Sequence, residues 1–243
     1  MHIIKLNAID STNSYLRELA SKKTLEDFTV VIAKHQTNGR GQIGAVWNSE
    51  KGKNLTCSVF KRNCGVSIDD KFYISMVTSL AIIKTLQLFH VPKLVVKWPN
   101  DILSEQKKIC GILIENVIKQ QDIEGSIIGI GLNVNQTQFA NLPSASSLKN
   151  LTGNLFDLEE LLVRIVDQLK YYFDKLEQGK HDFIKRAYEA LLFRKQKPST
   201  FKDFEGNLFS GFIQGVNNNG TLQILLEDDI IKEFELKEIQ LLY

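Results

Sequence analysis

Two nearly continuous apolar segments lie near the middle of the chain, at Ile109–Val117 and Ser126–Val134. Each has the length of a strand, and apolar runs of this length are typical of strands whose two faces are both covered. A strand with one solvated face would instead alternate between apolar and polar residues. The pair therefore predicts a sheet that is buried on both faces.

Three shorter segments upstream also have the composition of strands. Val30–Ala33 and Leu55–Phe60 are rich in apolar or β-branched residues, and both end in polar or glycine-containing stretches. Leu94–Trp98 is a third predicted strand. It has to end at Pro99, because proline has no N–H to donate to a sheet.

Helices are predicted between and after these strands. Asp69–His90 carries apolar residues at spacings of three and four, which is the pattern of an amphipathic helix. Asp157 and Glu160 resemble a capping box that opens a second helix, and Gly179 ends it. His181–Leu192 is predicted to form a shorter helix.

The pattern changes to short strands after Pro198, at Phe209–Val216, 217–220, Thr221–Leu226 and Ile230–Leu236. Asn219 and Gly220 are residue types that tolerate the positive φ of a tight hairpin turn. We expect a small β-barrel or meander of about 45 residues here. The change in periodicity predicts a domain boundary near residue 195, with a first domain over 1–194 and a second over 195–243.

Composition limits the class of protein. The 243 residues, 43% of them hydrophobic, suffice for this arrangement without disulfides. The apolar runs fall short of the roughly 18 residues that span a bilayer, and the first residues lack the layout of a signal peptide. A cytoplasmic protein without a membrane partner is therefore expected. Cys57, Cys64 and Cys110 form no CxxC pair, which predicts reduced thiols in or near the core rather than a zinc or redox site.

Charge is distributed unevenly along the chain. The part after residue 195 has four lysines and eight acidic residues, a net charge of −4, which leaves +6 for the first part. No extended basic run is present, so a nucleic-acid partner is not indicated. The basic excess suits a small anionic ligand, although charges that only solvate the surface explain it equally well.

The segment at residues 35–47, HQTNGRGQIGAVW, lies between two predicted strands. Its glycines allow the backbone to approach a ligand and to point N–H groups at it. Arg40 offers a planar guanidinium for a carboxylate or a phosphate. A dinucleotide fingerprint is not indicated, because no helix follows directly. On these residues alone, a plain connecting loop is an equal alternative.

Three further segments place polar residues at strand ends. Lys97–Asp101, KWPND, either presents polar side chains to a site or forms only an Asx turn. Lys107 and Lys108 precede a buried strand, where paired lysines also occur at solvated hairpin tips. In Gly129–Asn133, GIGLN, two glycines weaken the strand unless a bulge or a ligand needs them, and the asparagine could cap its own turn.

In this order and spacing, the motifs GRGxxGxxW, KWPND, KICGIL and GxGxN resemble those of the biotin protein ligases. Ser11-Thr12-Asn13, at the start of the first helix, shares the resemblance, which runs through the whole chain. The resemblance implies an α/β fold with a mixed sheet and flanking helices, like that of class II aminoacyl-tRNA synthetases, followed by an SH3-like barrel. Larger members carry a DNA-binding domain ahead of the Ser-Thr-Asn motif. Only ten residues precede it here, so we expect a short form that does not bind DNA.

The resemblance implies a reaction in two steps. The carboxylate of biotin attacks the α-phosphate of ATP, with Mg²⁺ as activator, to give biotinyl-5'-adenylate and pyrophosphate. The acyl group then passes to a lysine of the biotin carboxyl carrier domain of a carboxylase. Biotin and ATP are therefore the expected ligands and the carrier domain the expected partner. Family members occur as monomers and homodimers, and the sequence does not select between the two.

The resemblance also assigns roles to residues. Arg40 and Lys108 are expected to bridge the biotin carboxyl and the α-phosphate, and Asp101 either orients or deprotonates the carrier lysine or helps to place Mg²⁺. Trp47 covers the adenine or the loop above it, unless it is an ordinary core aromatic. The residues expected to bind biotin are Ser11, Thr12, Asn13, Gln36, Gly39, Arg40, Gly41, Gln42, Lys108, Gly111, Leu113, Gly129 and Leu132. Those expected to bind ATP or the adenylate are Arg40, Trp47, Lys97, Asn100, Lys108 and Asn133.

One position departs from the family pattern. The family often has a second arginine after Gly-Arg-Gly, where this chain has Gln42. The missing charge is expected to weaken retention of the anionic intermediate, unless Lys51 or Lys53 substitutes. The loop Gly39–Trp47 is expected to order over the adenylate and to exclude water.

Two other functions stay open. A lipoate or octanoate protein ligase shares the fold and also acylates a carrier lysine, but would lack the GRGxxGxxW and KWPND motifs together. A non-catalytic binding module would use the small C-terminal domain to recruit a protein or an RNA, and the −4 charge of that segment argues against RNA. Release of pyrophosphate from ATP with biotin, with lipoate or with neither separates the three.

Overall fold

The computed structural model describes residues 1–119, 122–140 and 142–243. Within these ranges the elements are, in chain order, β1 (Ile3–Leu6), α1 (Thr12–Lys22), β2 (Thr29–Ala33), β3 (Leu55–Arg62), α2 (Phe72–Leu88), β4 (Leu94–Lys97), β5 (Asp101–Ser104), β6 (Lys107–Lys119), β7 (Asp122–Leu132), α3 (Leu148–Thr152), α4 (Leu158–Glu177), α5 (His181–Glu189), β8 (Pro198–Asp203), β9 (Leu208–Val216), β10 (Leu222–Leu225), β11 (Ile231–Phe234) and β12 (Ile239–Leu242).

A seven-stranded sheet organises the first part of the chain, with the strand order β1-β2-β3-β7-β6-β5-β4. The strands β1 and β2 are parallel, and the other neighbours are antiparallel, so the sheet is mixed, as predicted. The two apolar segments form β6 and β7, which pair with each other along their length. The short strands β1 and β5, which lack a strong apolar pattern, were not predicted.

The two faces of this sheet have different surroundings. On β7, Ile128, Ile130 and Leu132 point to the face covered by α2, α4 and α5, where the main hydrophobic core lies. The alternate residues point to the other face, where a smaller cluster around Leu16 and Ile127 packs beneath α1. Burial on both faces is confirmed for most of β7 but is wrong for β6, whose residues on the second face are partly exposed.

Helix α2 is buried almost all round, so the prediction of an amphipathic helix is wrong. One side of α2 contacts the sheet, and its other sides contact α4 and α5. A helix that is covered on every side needs no polar stripe. By contrast, Asp157 caps α4 as predicted, because its carboxylate accepts hydrogen bonds from the backbone N–H groups of Glu159 and Glu160.

The C-terminal part forms a separate antiparallel sheet with the order β11-β10-β9-β8-β12. The predicted turn at Gly220 is confirmed by its φ of 98°. Among the described ladders none joins β11 to β12, and the description as an SH3-like barrel stays a prediction. The boundary near residue 195 also stays a prediction. Trp98 Nε1 donates to the Gly220 carbonyl at 2.9 Å, which connects the two sheets directly.

Two further expectations concern cysteines and membranes. Cys57, Cys64 and Cys110 are buried free thiols, as predicted, and burial raises the pKa of Cys57 to about 12 and that of Cys64 to about 11. Of the helices in the described ranges, none combines the length and the apolar content that crossing a membrane requires.

Candidate active site

A cavity of about 250 Å³ opens on the second face of the large sheet, beside the N-terminus of α1. It brings together segments that are far apart in the chain: the start of α1, the glycine-rich loop, the end of the KWPND motif, the first half of β6 and the end of β7. Its lining includes Ser11, Thr12, Asn13, Gln36, Arg40, Gly41, Gln42, Trp47, Asn100, Asp101, Lys108, Gly111, Leu113 and Gly129.

One end of the cavity is polar and buried. Thr12 donates from both its backbone N–H and its hydroxyl to Gln36 Oε1, at 2.8 and 3.0 Å. The Ser58 hydroxyl lies 2.7 Å from Thr12 Oγ1 and 2.6 Å from Asn13 Oδ1. Ser11 caps α1 by accepting from the Ser14 N–H. Such a network fixes hydrogen-bonding groups at the start of a helix, where they can match a buried polar ligand.

The floor of the cavity is made of glycines on β6 and β7. Gly111 and Gly131 are paired across the two strands, and the indole of Trp47 lies directly over them. A Cβ at position 131 would lie 2.7 Å from Trp47 Cζ2, and one at position 111 would lie 3.0 Å from Trp47 Cζ3. A Cβ at Gly129 would lie 3.0 Å from Asn13 Cγ. The floor therefore admits no side chain at these positions.

The glycine-rich loop is closed on itself by backbone hydrogen bonds. Trp47 N–H donates to the Gly39 carbonyl at 2.9 Å, and Gly41 N–H donates to the Ala45 carbonyl at 2.7 Å. A short 3₁₀ turn at Gln42–Gly44 forms the tip. This closure holds Trp47 and Arg40 on the cavity side of the loop.

Two cations with different partners line the cavity. Arg40 Nη2 lies 3.0 Å from Glu115 Oε2. Lys108 Nζ lies 2.7 Å from Asp101 Oδ1 and 5.8 Å from the centroid of the Trp47 ring. The Arg40 side chain is 39% exposed and the Lys108 side chain 35%, so both remain accessible to an anion in the cavity.

Residues 6–133 match the sequence model of the biotin/lipoate A/B protein ligase family. The chain belongs to this family. The ligase/repressor BirA of Bacillus spizizenii is 29% identical over 237 residues, which cover 95% of this chain and 71% of that protein. The biotin–[acetyl-CoA-carboxylase] ligase of Paracoccus denitrificans is 28% identical over 220 residues, 88% of this chain and 90% of the relative. A biotin protein ligase from Aquifex aeolicus, solved with biotin and ATP, superposes with a TM-score of 0.82 at 26% identity and covers 99% of this chain and 98% of its own.

Four of the predicted site residues do not line the cavity. Leu132 is fully buried in the main core. Side chains alternate between the two faces of a strand, so Leu132 points to the face opposite that of Gly129 and Gly131. Asn133 donates through Nδ2 to the Ser146 carbonyl at 3.0 Å. Gly39 closes the base of the loop.

The fourth, Lys97, lies at the junction of the two sheets. Its Nζ is 4.8 Å from the centroid of the Tyr243 ring, and burial lowers the pKa of its ammonium. It lines a second, smaller cavity with Trp98 and residues of β8 and β12. Lys51 and Lys53, the possible substitutes for the missing arginine, are exposed and also lie outside the lining.

Sequence reasoning missed the lining residues Cys57, Ile112, Ile130 and Gly131, and also Ser58 and Glu115, which bind lining residues. Gly131 belongs to the GxGxN motif but was given no role. Ser58 lies within a predicted strand, and Glu115 interrupts the apolar run of β6. A charged residue inside an apolar strand is a signal that could have singled out Glu115, since a buried carboxylate needs a partner.

The described residues of the site offer few ligands for a metal ion. Among the described residues, no group of three or more His, Cys, Asp or Glu side chains comes together to hold an ion. Among the described residues that line the cavity, Asp101 is the one with a carboxylate. Mg²⁺ is commonly held by one or two carboxylates together with substrate phosphates, so the site fits an ion that arrives with ATP.

Proposed function

We propose that this protein is a biotin protein ligase, which forms biotinyl-5'-adenylate from biotin and Mg-ATP and then transfers biotin to a lysine of a carboxyl carrier domain. The observation that carries the proposal is the polar, buried end of the cavity, in the same cavity as the two cations. The ureido group of biotin has two N–H donors and a carbonyl acceptor, and burying them without partners costs about 1–3 kcal/mol each. The dithiolane ring of lipoate needs no such partners.

The first step joins two anions. A carboxylate oxygen of biotin attacks the α-phosphorus, and the bond to the pyrophosphate oxygen breaks. Because negative charge accumulates between the reactants, cationic donors at that point stabilise the transition state. We assign this role to Arg40 and Lys108, which the cavity brings together. Mg²⁺, placed by the ATP phosphates and by Asp101, would neutralise part of the phosphate charge.

The second step requires a neutral amine. The lysine of the carrier has an ordinary pKa of about 10.4, so it must lose a proton before it attacks the acyl carbon and AMP leaves. Asp101, 2.7 Å from Lys108 Nζ, is suitably placed at the cavity to position Lys108 in the first step and to orient the incoming amine in the second. Use of ATP also supports the cytoplasmic location expected from the sequence.

The proposal is tested with the full chain, Mg-ATP and an apo carrier domain. We expect a mass increase of one biotinyl group on the carrier and release of pyrophosphate with biotin but not with lipoate. Lipoate-dependent release would identify a lipoate ligase, and no release with either acid would identify a binding module. Arg40→Ala and Lys108→Ala should each abolish most of the adenylation. Wild-type rates in both variants would refute their assignment.

A further inference from the structure

Glu115 is partly buried at the edge of the candidate site, and its contacts link three separate segments. It lies on the face of β6 that carries Gly111 and Leu113, and its side chain is only 14% exposed. Its carboxylate accepts from Asn13 Nδ2 at 2.8 Å, from Arg17 Nη2 at 2.6 Å and from Arg40 Nη2 at 3.0 Å. Two of these partners line the cavity.

We propose that Glu115 is a positioning residue, which holds the guanidinium of Arg40, and through it the loop Gly39–Trp47, in place for the anionic groups of the substrates. The inference rests on the proposed function for the identity of those anions. Both contacts between Glu115 and Arg40 are made by Nη2. An arginine has five N–H donors, so this contact leaves donors on Nη1 and Nε for a ligand.

The charges around Glu115 are consistent with positioning rather than neutralisation. A lone carboxylate paired with Arg40 would cancel the positive charge that an anionic ligand needs. Arg17 provides a second guanidinium to the same carboxylate, at 2.6 Å from Oε1, and it lies outside the cavity lining. The cluster of two arginines and one glutamate keeps a net positive charge, with Arg40 as the member that faces the cavity.

The same contact also joins the loop to the sheet. Within the described part of the chain, the Arg40–Glu115 pair is the one ion pair between residues 39–47 and the strands. The backbone hydrogen bonds of the loop close it on itself, and its further contact with a charged strand residue is that of the Trp47 ring with Lys108 Nζ at 5.8 Å. Release of Arg40 would therefore weaken the attachment of the loop to the sheet and increase its mobility, and with it that of the indole that covers the glycine floor.

The test compares Glu115→Gln with the wild-type chain and with Glu159→Gln, which removes an exposed carboxylate paired with Lys5 at 2.7 Å, away from the cavity. Because hydrogen bonds to charged groups are stronger than neutral ones, we expect Glu115→Gln to raise the KM for biotin and the dissociation rate of biotinyl-adenylate by about tenfold. The rate of adenylation at saturating substrate should also fall, but by less than in Arg40→Ala, because the guanidinium is displaced and not removed. Glu159→Gln should change none of these quantities.

Two further measurements separate positioning from a general loss of stability. In an Arg40→Gln background, Glu115→Gln should have no additional effect on the Kd for biotin, measured by direct binding without turnover, because its effect acts through Arg40. Hydrogen exchange of the amides of residues 39–47 should accelerate in Glu115→Gln without any substrate present. Unchanged exchange, unchanged or tighter binding, or a full effect in the Arg40→Gln background would each overturn the inference. Absence of adenylation in the wild-type chain would instead refute the proposed function, and the exchange measurement would still decide the role of Glu115.

Discussion

A methyl group on the cavity floor should disable this protein without unfolding it. In Gly131→Ala, the new Cβ would lie 2.7 Å from both Cζ2 and Nε1 of Trp47. Non-bonded carbon atoms normally approach to about 3.5–4.0 Å, so the indole would have to move by about 1 Å. Trp47 belongs to a loop and not to a packed helix, so the loss of stability should be at the low end for overpacking, about 1 kcal/mol.

The expected effect on activity is much larger than the effect on stability. Misplacement of groups around the reacting atoms by about 1 Å can cost about 100-fold in rate. We therefore expect Gly131→Ala to lower kcat/KM for adenylation by about 100-fold, measured as pyrophosphate release with biotin and Mg-ATP. Thermal unfolding of the same sample should show that the variant is folded.

Gly125→Ala is the matched control, because it lies on the same strand and also introduces a clash. Its Cβ would lie 2.9 Å from Phe60 Cε2, in the smaller core cluster away from the cavity. We expect this variant to be less stable but to keep the kcat/KM of the wild-type chain. The reasoning fails if Gly131→Ala adenylates biotin within about twofold of wild type, or if Gly125→Ala loses as much activity.

Three other substitutions give separate expectations. Gln42→Arg should slow the dissociation of biotinyl-adenylate by about tenfold in a chase experiment, because it adds a charged donor to the lining, and an unchanged rate would exclude this position from control of retention. Lys61 pairs with Asp27 at 2.8 Å and with Glu177 at 2.9 Å; although burial lowers its pKa, these carboxylates raise it above the ordinary 10.5. Its stabilising contribution is therefore complete below pH 10.5 and is lost as the pH rises further. Because Asp27 and Glu177 are 41% and 48% exposed and stay solvated without Lys61, Lys61→Met should cost only about 1 kcal/mol in denaturant titrations at pH 7. The difference from wild type should shrink at higher pH, and a constant difference would contradict this. Tyr188→Phe should unfold at the same or a higher temperature, because the fully buried Tyr188 hydroxyl has no hydrogen-bond partner among the described residues.

The sequence predicted the segments of the site better than the contacts between them. The glycine-rich loop, KWPND and GIGLN were singled out because their residue types break the regular pattern of strands. Glu115 and Ser58 were missed because their roles depend on partners that are distant in sequence: Glu115 meets Arg40 across 75 positions, and Ser58 meets Thr12 across 46. The periodicity of a segment reports on contacts within that segment and contains no information on such distant pairs.

The errors in the fold have a similar origin. Helix α2 was predicted from a stripe at spacings of three and four. Its remaining sides are covered by α4 and α5, which begin only at Leu158 and His181, far later in the chain. The strands β8 and β12 were missed because they are the first and the last strand of the C-terminal segment, which pair at one edge of the small sheet, and neither has a long apolar run of its own. Contacts between distant segments therefore decide the burial of α2 and the pairing of β8 with β12, which the local pattern does not determine.

The alternation of side chains along β7 explains why one strand serves both the core and the site. Ile128, Ile130 and Leu132 fill the main core, while Gly129 and Gly131, on the opposite face, leave space for Asn13 and Trp47. The two requirements are independent, because successive residues of a strand point to opposite faces. A large-to-small change at Ile128, which lies outside the cavity lining, should therefore reduce stability, whereas added side chains at the glycines should reduce ligand binding. This separation also accounts for Leu132: its place in the motif suggested contact with biotin, but its phase along the strand directs it to the core.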